Sequence, residues 1–162
     1  MSFTAADVPD QSGRTIIVTG ANTGLGFEAA KVLAGKGARV LLACRDRSRA
    51  EGAIRRIGEA VPGADLAFLL LDQADLASVH AAAEQAAREP RIDVLLNNAG
   101  IMFPPLGRTK DGFESQLGVN HLGTFALTGL LLPKLAETPG ARVVVTARSE
   151  EHTSELQSRY VI

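Results

Sequence analysis

Five short apolar runs, each followed by a longer segment of helical spacing, constrain what this chain can fold into. The first, Arg14-Thr-Ile-Ile-Val-Thr-Gly20, is rich in β-branched residues and lacks in-out alternation. Such a strand is covered on both faces, as strands of a parallel sheet are. Further runs of this kind occupy residues 39–44, 66–71, 92–96 and 141–146. Helical patterns alternate with them: one from the turn 20–26 to about Leu33, then 48–60, 76–88, and a long one from 111 to about Ala136. Gly35 or Gly37 supplies the left-handed residue that ends the first helix. Val61-Pro62-Gly63 stops the second, Pro90 stops the third, and Asp111-Gly-Phe-Glu114 fits a capping box opening the fourth. Right-handed crossovers between parallel strands place helices on both faces of the sheet, so the expected fold is α/β, a doubly wound parallel sheet.

Composition removes several function classes. Seventeen Lys and Arg against eighteen Asp and Glu, with no basic block, argue against nucleic acid as a partner. The longest apolar stretches, 40–44 and 125–133, fall far short of the roughly 20 residues that span a bilayer, so no membrane partner is expected. The opening MSFTAADVPD has no early basic residue and no apolar core, which makes a cytoplasmic location the expectation. Cys44 is the only cysteine and the three histidines are scattered, so neither a disulfide framework nor a metal site is expected.

Three motifs carry chemistry. Thr19-Gly-Ala-Asn-Thr-Gly-Leu-Gly26 joins a buried strand to a helix, the context a dinucleotide-binding turn requires. Gly20 permits the sharp exit from the strand, Gly24 lets backbone approach a pyrophosphate, and Gly26 lets helix and strand pack closely. The helix start offers N–H donors to phosphate. Taken alone, the motif is equally a ligand-free glycine turn. Asn97-Asn-Ala-Gly100 closes the fourth run, where Asn side chains can satisfy neighbouring strands; its plain reading is an Asn/Gly turn. Val119-Asn-His-Leu-Gly123 puts Asn120, a poor helix former, in mid-helix, where it is either functional or satisfied locally.

The TGxxxGxG spacing, the Asn-Asn-Ala-Gly motif and Asn120, in this order, resemble the short-chain dehydrogenase/reductase (SDR) family. Residues 109–128, TKDGFESQLGVNHLGTFALT, further resemble its retinol-dehydrogenase-like branch. The resemblance implies a Rossmann-type sheet of strand order 3-2-1-4-5, with the ligand crevice where the order reverses. It implies an oxidoreductase moving hydride between a nicotinamide cofactor and a small-molecule carbonyl or alcohol. Asn22 and Thr23 would line the phosphate end and Leu25 the nicotinamide side, with Asn98, Ala99 and Gly100 beside the ribose. Asp72 would accept from adenine, or else serve as a strand-end turn residue.

Cys44 stands where an NAD-preferring site usually has an acid, and Arg45 follows it, so NADP is the expected cofactor. The wording Ala43-Cys-Arg-Asp46 resembles that of NADP-dependent relatives. Asp46 reaches the ribose instead if the strand ends one residue later. By the same resemblance the helix carrying Asn120 forms homo-oligomer contacts through Leu127, Leu130 and Leu131, which otherwise read as core.

Of the Ser, Tyr, Lys and Asn that the family uses in catalysis, only Asn120 has a counterpart. Position 148 is Arg with Ser149 beside it, Tyr160 is followed only by Val161 and Ile162, and no lysine follows Lys134. A non-catalytic dinucleotide-binding module is therefore the alternative reading. Sugar-nucleotide epimerases resemble a different spacing, TGxxGxxG. Apolar periodicity ends after Ala147, and 148–158, RSEEHTSELQS, resembles the in-frame translation of a sequencing-library adapter. The expected organisation is thus an NADP-binding domain over 1–147, cut after its fifth strand and inactive by itself, with 148–162 a non-native or disordered tail.

Overall fold

The computed structural model describes residues 4–147. Its strands are β1 (Thr15–Thr19), β2 (Arg39–Cys44), β3 (Leu66–Leu70), β4 (Val94–Asn97) and β5 (Arg142–Val145). Helices α1 (Gly24–Gly35), α2 (Arg47–Ala60), α3 (Leu76–Ala86) and α4 (Thr124–Ala136) alternate with them. All strands are parallel in the order β3-β2-β1-β4-β5, the doubly wound arrangement. Ile17 pairs with Leu41 on one side and Leu95 on the other, and Leu95 pairs in turn with Val143.

The uninterrupted apolar character of β1 follows from two cores meeting across it. Ile17, Leu41, Leu69 and Leu95 face α3 and α4, where Val79, Leu127 and Leu131 complete a buried cluster. Ile16, Val18, Val40 and Leu42 face α1 and α2, packing on Ala30, Ala34, Ala53 and Ile57. Each fully buried Leu or Ile stabilises the fold by about 1.5–3 kcal/mol. Leu127 and Leu131 are wholly buried, so the oligomer role expected of them is corrected to core; Leu130 is exposed. Gly37, not Gly35, takes the left-handed conformation, with φ +89°. On β5, the last strand among the described residues, all four residues are exposed.

The fourth helical pattern departs from expectation. Gly112 sits at φ +86°, a conformation no helix continues through. Asp111 does not cap its own segment: its carboxylate accepts from the N–H of Leu76, at the start of α3. Glu114 is the residue that accepts from the next free donors, Gln116 N–H and Leu117 N–H, each at 2.8 Å. Leu117–Gly123 then forms a π-helical turn before α4. Among the described residues no helix is long and apolar enough to cross a membrane.

Candidate functional site

The order reversal between β1 and β4 brings the carboxyl ends of both strands to one crevice. Gly20 leaves β1 at φ +67°, and Gly24 adopts φ +59° at the first position of α1. A side-chain carbon at Gly24 would meet nothing within 4 Å, so the turn opens onto free space there. Thr23 occupies the N-cap position without accepting a bond through its side chain, leaving the first-turn N–H groups of α1 open. Gly26 is different. A carbon there would come within 2.5 Å of Asn98 Nδ2 and 2.6 Å of the Gly20 carbonyl oxygen. Its missing side chain makes room for the neighbouring strand's Asn.

Thr19 ties the two strands together. Its hydroxyl accepts from the N–H groups of Asn98 and Ala99, both at 2.9 Å, while Asn98 Nδ2 donates to the Thr19 carbonyl at 3.0 Å. The Asn98 amide is thus a strut between β4 and β1. Asn97 donates to Thr128 on α4, and its Oδ1 is buried with no partner among the described residues. Gly100 leaves space for another side chain: a carbon there would lie 3.3 Å from Asn120 Oδ1.

Asn120 lies in the π-helical turn and is exposed. Its carboxamide pairs twice with Ile101, accepting from the N–H and donating to the carbonyl, each at 2.8 Å. One face of the loop after the Asn97–Gly100 motif is thereby clamped to the turn. Gln73, buried between Asp72 and α3, donates to the Thr124 hydroxyl at 2.7 Å and to the Val119 carbonyl at 3.4 Å. That carbonyl belongs to the π-helical turn, where the regular helical ladder is displaced by one residue. Gln73, and the role of Thr19 beyond opening the glycine motif, are what the sequence reading misses. Neither has a local signal, since their partners lie 46–80 positions away.

At the end of β2, Cys44 is buried and its thiol is pushed up to about 11, mainly by desolvation, although the N–H groups of Ala21 and Asn22 act in the opposite sense. It is a neutral, space-filling residue under the glycine turn. Arg45 is exposed and makes no hydrogen bond or ion pair with any described residue. Asp46, the alternative ribose acceptor, instead caps α2, accepting from Arg49 N–H at 3.0 Å. Asp72 shows the turn role: Oδ1 accepts from Ala74 N–H at 2.9 Å. Asn22 and Leu25 stand beside the turn, with Leu25 three-quarters exposed. Among the described residues no cluster of His, Cys, Asp or Glu could hold a metal. Ser149, Tyr160 and the expected tail 148–162 lie outside the described residues.

Comparison with known proteins agrees with this geometry. The family model for short chain dehydrogenases matches residues 14–160. Retinol dehydrogenase 11 of Mus musculus is 49% identical over 146 residues, covering 89% of this chain and 46% of that protein. The crystal structure of an uncharacterised protein from Mycobacterium paratuberculosis superposes with TM-score 0.74 at 47% identity, over 83% of this chain and 47% of that one. A short chain dehydrogenase from Escherichia coli CFT073, solved with NADPH, has TM-score 0.71 and 29% identity, covering 84% of this chain and 59% of its own. The chain spans about half the length of the curated relatives it matches.

Proposed function

The chain belongs to the short chain dehydrogenase family, and from that premise we propose that it is the dinucleotide-binding part of an oxidoreductase that uses NADP(H) on a carbonyl or alcohol substrate. The observation that carries the reading is the glycine turn. Gly26 is seated against Asn98 so that α1 starts at a fixed angle to β1, and Gly24 leaves open space before the unpaired N–H groups of its first turn. That is a cradle for a diphosphate. When bound, the nicotinamide cofactor supplies or accepts hydride.

The preference for NADP rests on Arg45, a guanidinium just after β2 with no partner among the described residues, with Asp46 engaged in capping α2. A guanidinium matches phosphate geometry and, being always charged, favours a 2′-phosphate over a bare hydroxyl. Asn120, whose carboxamide is braced by Ile101, is the residue we assign to the family's catalytic Asn. The substrate and the remaining catalytic groups belong to the whole protein.

Fluorescence titration with NADPH and NADH tests both parts. Binding of NADPH at least tenfold tighter than NADH, lost in Arg45→Ala with NADH binding unchanged, is expected. Equal weakening for the two cofactors refutes the Arg45 assignment. No binding of either refutes the dinucleotide reading.

A further inference from the structure

A contact across the glycine turn lies outside the family motifs. Arg56, in the third turn of α2, is exposed, and its Nη2 donates to the carbonyl oxygen of Asn22 at 3.1 Å. Its guanidinium carbon lies 4.2 Å from the centroid of the Phe27 ring, which follows Gly26 in α1. Lys31 Nζ approaches the same ring at 5.6 Å. The Arg56 side chain therefore rests on one helix and bonds the turn that begins it, so its direction is fixed by stacking as well as by charge.

The peptide joining Asn22 to Thr23 is the one this bond controls. In a trans peptide the C=O and the following N–H point in opposite directions. Drawing the Asn22 oxygen toward α2 aims the Thr23 N–H away from it. The start of the turn is held from the other side, by Gly20 N–H donating to the Ala43 carbonyl at 2.8 Å. Past Asn22 the next hold is the first helical bond, Phe27 N–H to the Thr23 carbonyl at 3.3 Å, and Thr23 caps nothing through its side chain. Without Arg56 the Asn22 carbonyl has no hydrogen-bond donor among the described residues, and the orientation of the Asn22–Thr23 peptide rests on the ψ of Asn22 and the φ of Thr23 alone.

We infer that Arg56 is a positioning residue of the dinucleotide site, acting through the Asn22 carbonyl to keep the Thr23 N–H in the donor set offered to the diphosphate. The inference rests on the dinucleotide reading above and adds to it a residue on a different helix. Because the diphosphate is common to both cofactors, the role predicts an effect blind to the 2′-phosphate, unlike that of Arg45. Preorganising a loop improves affinity by removing the ordering cost at binding.

The test compares the full 162-residue chain with Arg56→Met, which keeps the length of the side chain but not the donor, and with Arg56→Lys, which keeps charge and one donor but stacks less well. The expected result is a roughly tenfold weaker affinity of Arg56→Met for NADPH and NADH alike, with Arg56→Lys intermediate. In the ligand-free chain, the Thr23 and Gly24 amide resonances of Arg56→Met should broaden or double, reporting two peptide orientations. Loss confined to NADPH would make Arg56 a 2′-phosphate contact and overturn the inference. So would unchanged affinities, or a single unshifted set of Thr23 and Gly24 resonances. If the unsubstituted chain binds neither cofactor the dinucleotide reading fails with it, whereas altered amide signals in that case still report the hold on the turn.

Discussion

Gly26→Ala places a methyl carbon 2.5 Å from Asn98 Nδ2 and 2.6 Å from the Gly20 carbonyl oxygen, where uncrowded contacts need about 3.5–4.0 Å. The two neighbours yield differently. Asn98 can rotate away, but it then gives up its 3.0 Å bond to the Thr19 carbonyl and leaves that half-buried oxygen unpaired, costing about 1–3 kcal/mol. The Gly20 oxygen is backbone, in a left-handed turn whose N–H is already bonded to the Ala43 carbonyl at 2.8 Å, so it cannot retreat without strain of about 1–3 kcal/mol. The expected destabilisation is about 3–5 kcal/mol, equivalent to a fall in Tm of roughly 6–20 °C for a chain of this size.

Gly24→Ala separates this steric effect from the conformational one. At φ +59° a side chain costs about 1–2 kcal/mol even though it touches nothing. Its Tm should fall by only a few degrees, yet its methyl group stands in the open space assigned to the diphosphate, so NADPH binding should be lost. Urea denaturation followed by circular dichroism, with fluorescence titration of the folded variants, measures both quantities. If Gly26→Ala is as stable as the unsubstituted chain, the seat of Asn98 on Gly26 is not what this glycine is for. If Gly24→Ala binds NADPH normally, the cradle lies elsewhere.

Two further outcomes follow from particular contacts. Asp93 is buried, and although burial alone would raise its pKa, hydrogen bonds from the Arg91 guanidinium and Thr15 N–H more than offset this and hold the carboxyl below its usual range. A carboxyl depressed in the folded state adds stability that is complete above its unfolded pKa and is lost as pH falls through the folded one. Asp93→Asn should therefore lower Tm at neutral pH and flatten its decline on acidification; an acid limb of unchanged slope contradicts this role. Gln73→Ala removes the donor to the Val119 carbonyl and to the Thr124 hydroxyl, with an expected cost of about 1–3 kcal/mol. Hydrogen exchange should quicken across 117–124 in particular, and a uniform change along the chain would speak against a local hold on the π-helical turn.

What the sequence discloses here is what a short window of residues decides. The strands are legible because both faces of β1, β2 and β4 are apolar, and burial on two faces is written in consecutive residues. The glycine turn is legible because left-handed backbone restricts the residue type at Gly20 and Gly24. Where two local readings compete, a distant partner decides. Asp46 reads equally as a helix cap and as a ribose acceptor until α2 begins at Arg47 and claims it. Asp111 reads as the cap of its own helix, but α3, whose first residue lies 35 positions earlier, supplies the donor that takes it. The π-helical turn is invisible to a 3.6-residue period because it is stabilised from outside, by Gln73 on one carbonyl and by the paired hydrogen bonds of Asn120 with Ile101. The same holds for Arg56, which looks like any basic residue on an exposed helix face. What makes it matter is a carbonyl 34 positions earlier, within the glycine turn, that no other donor among the described residues reaches.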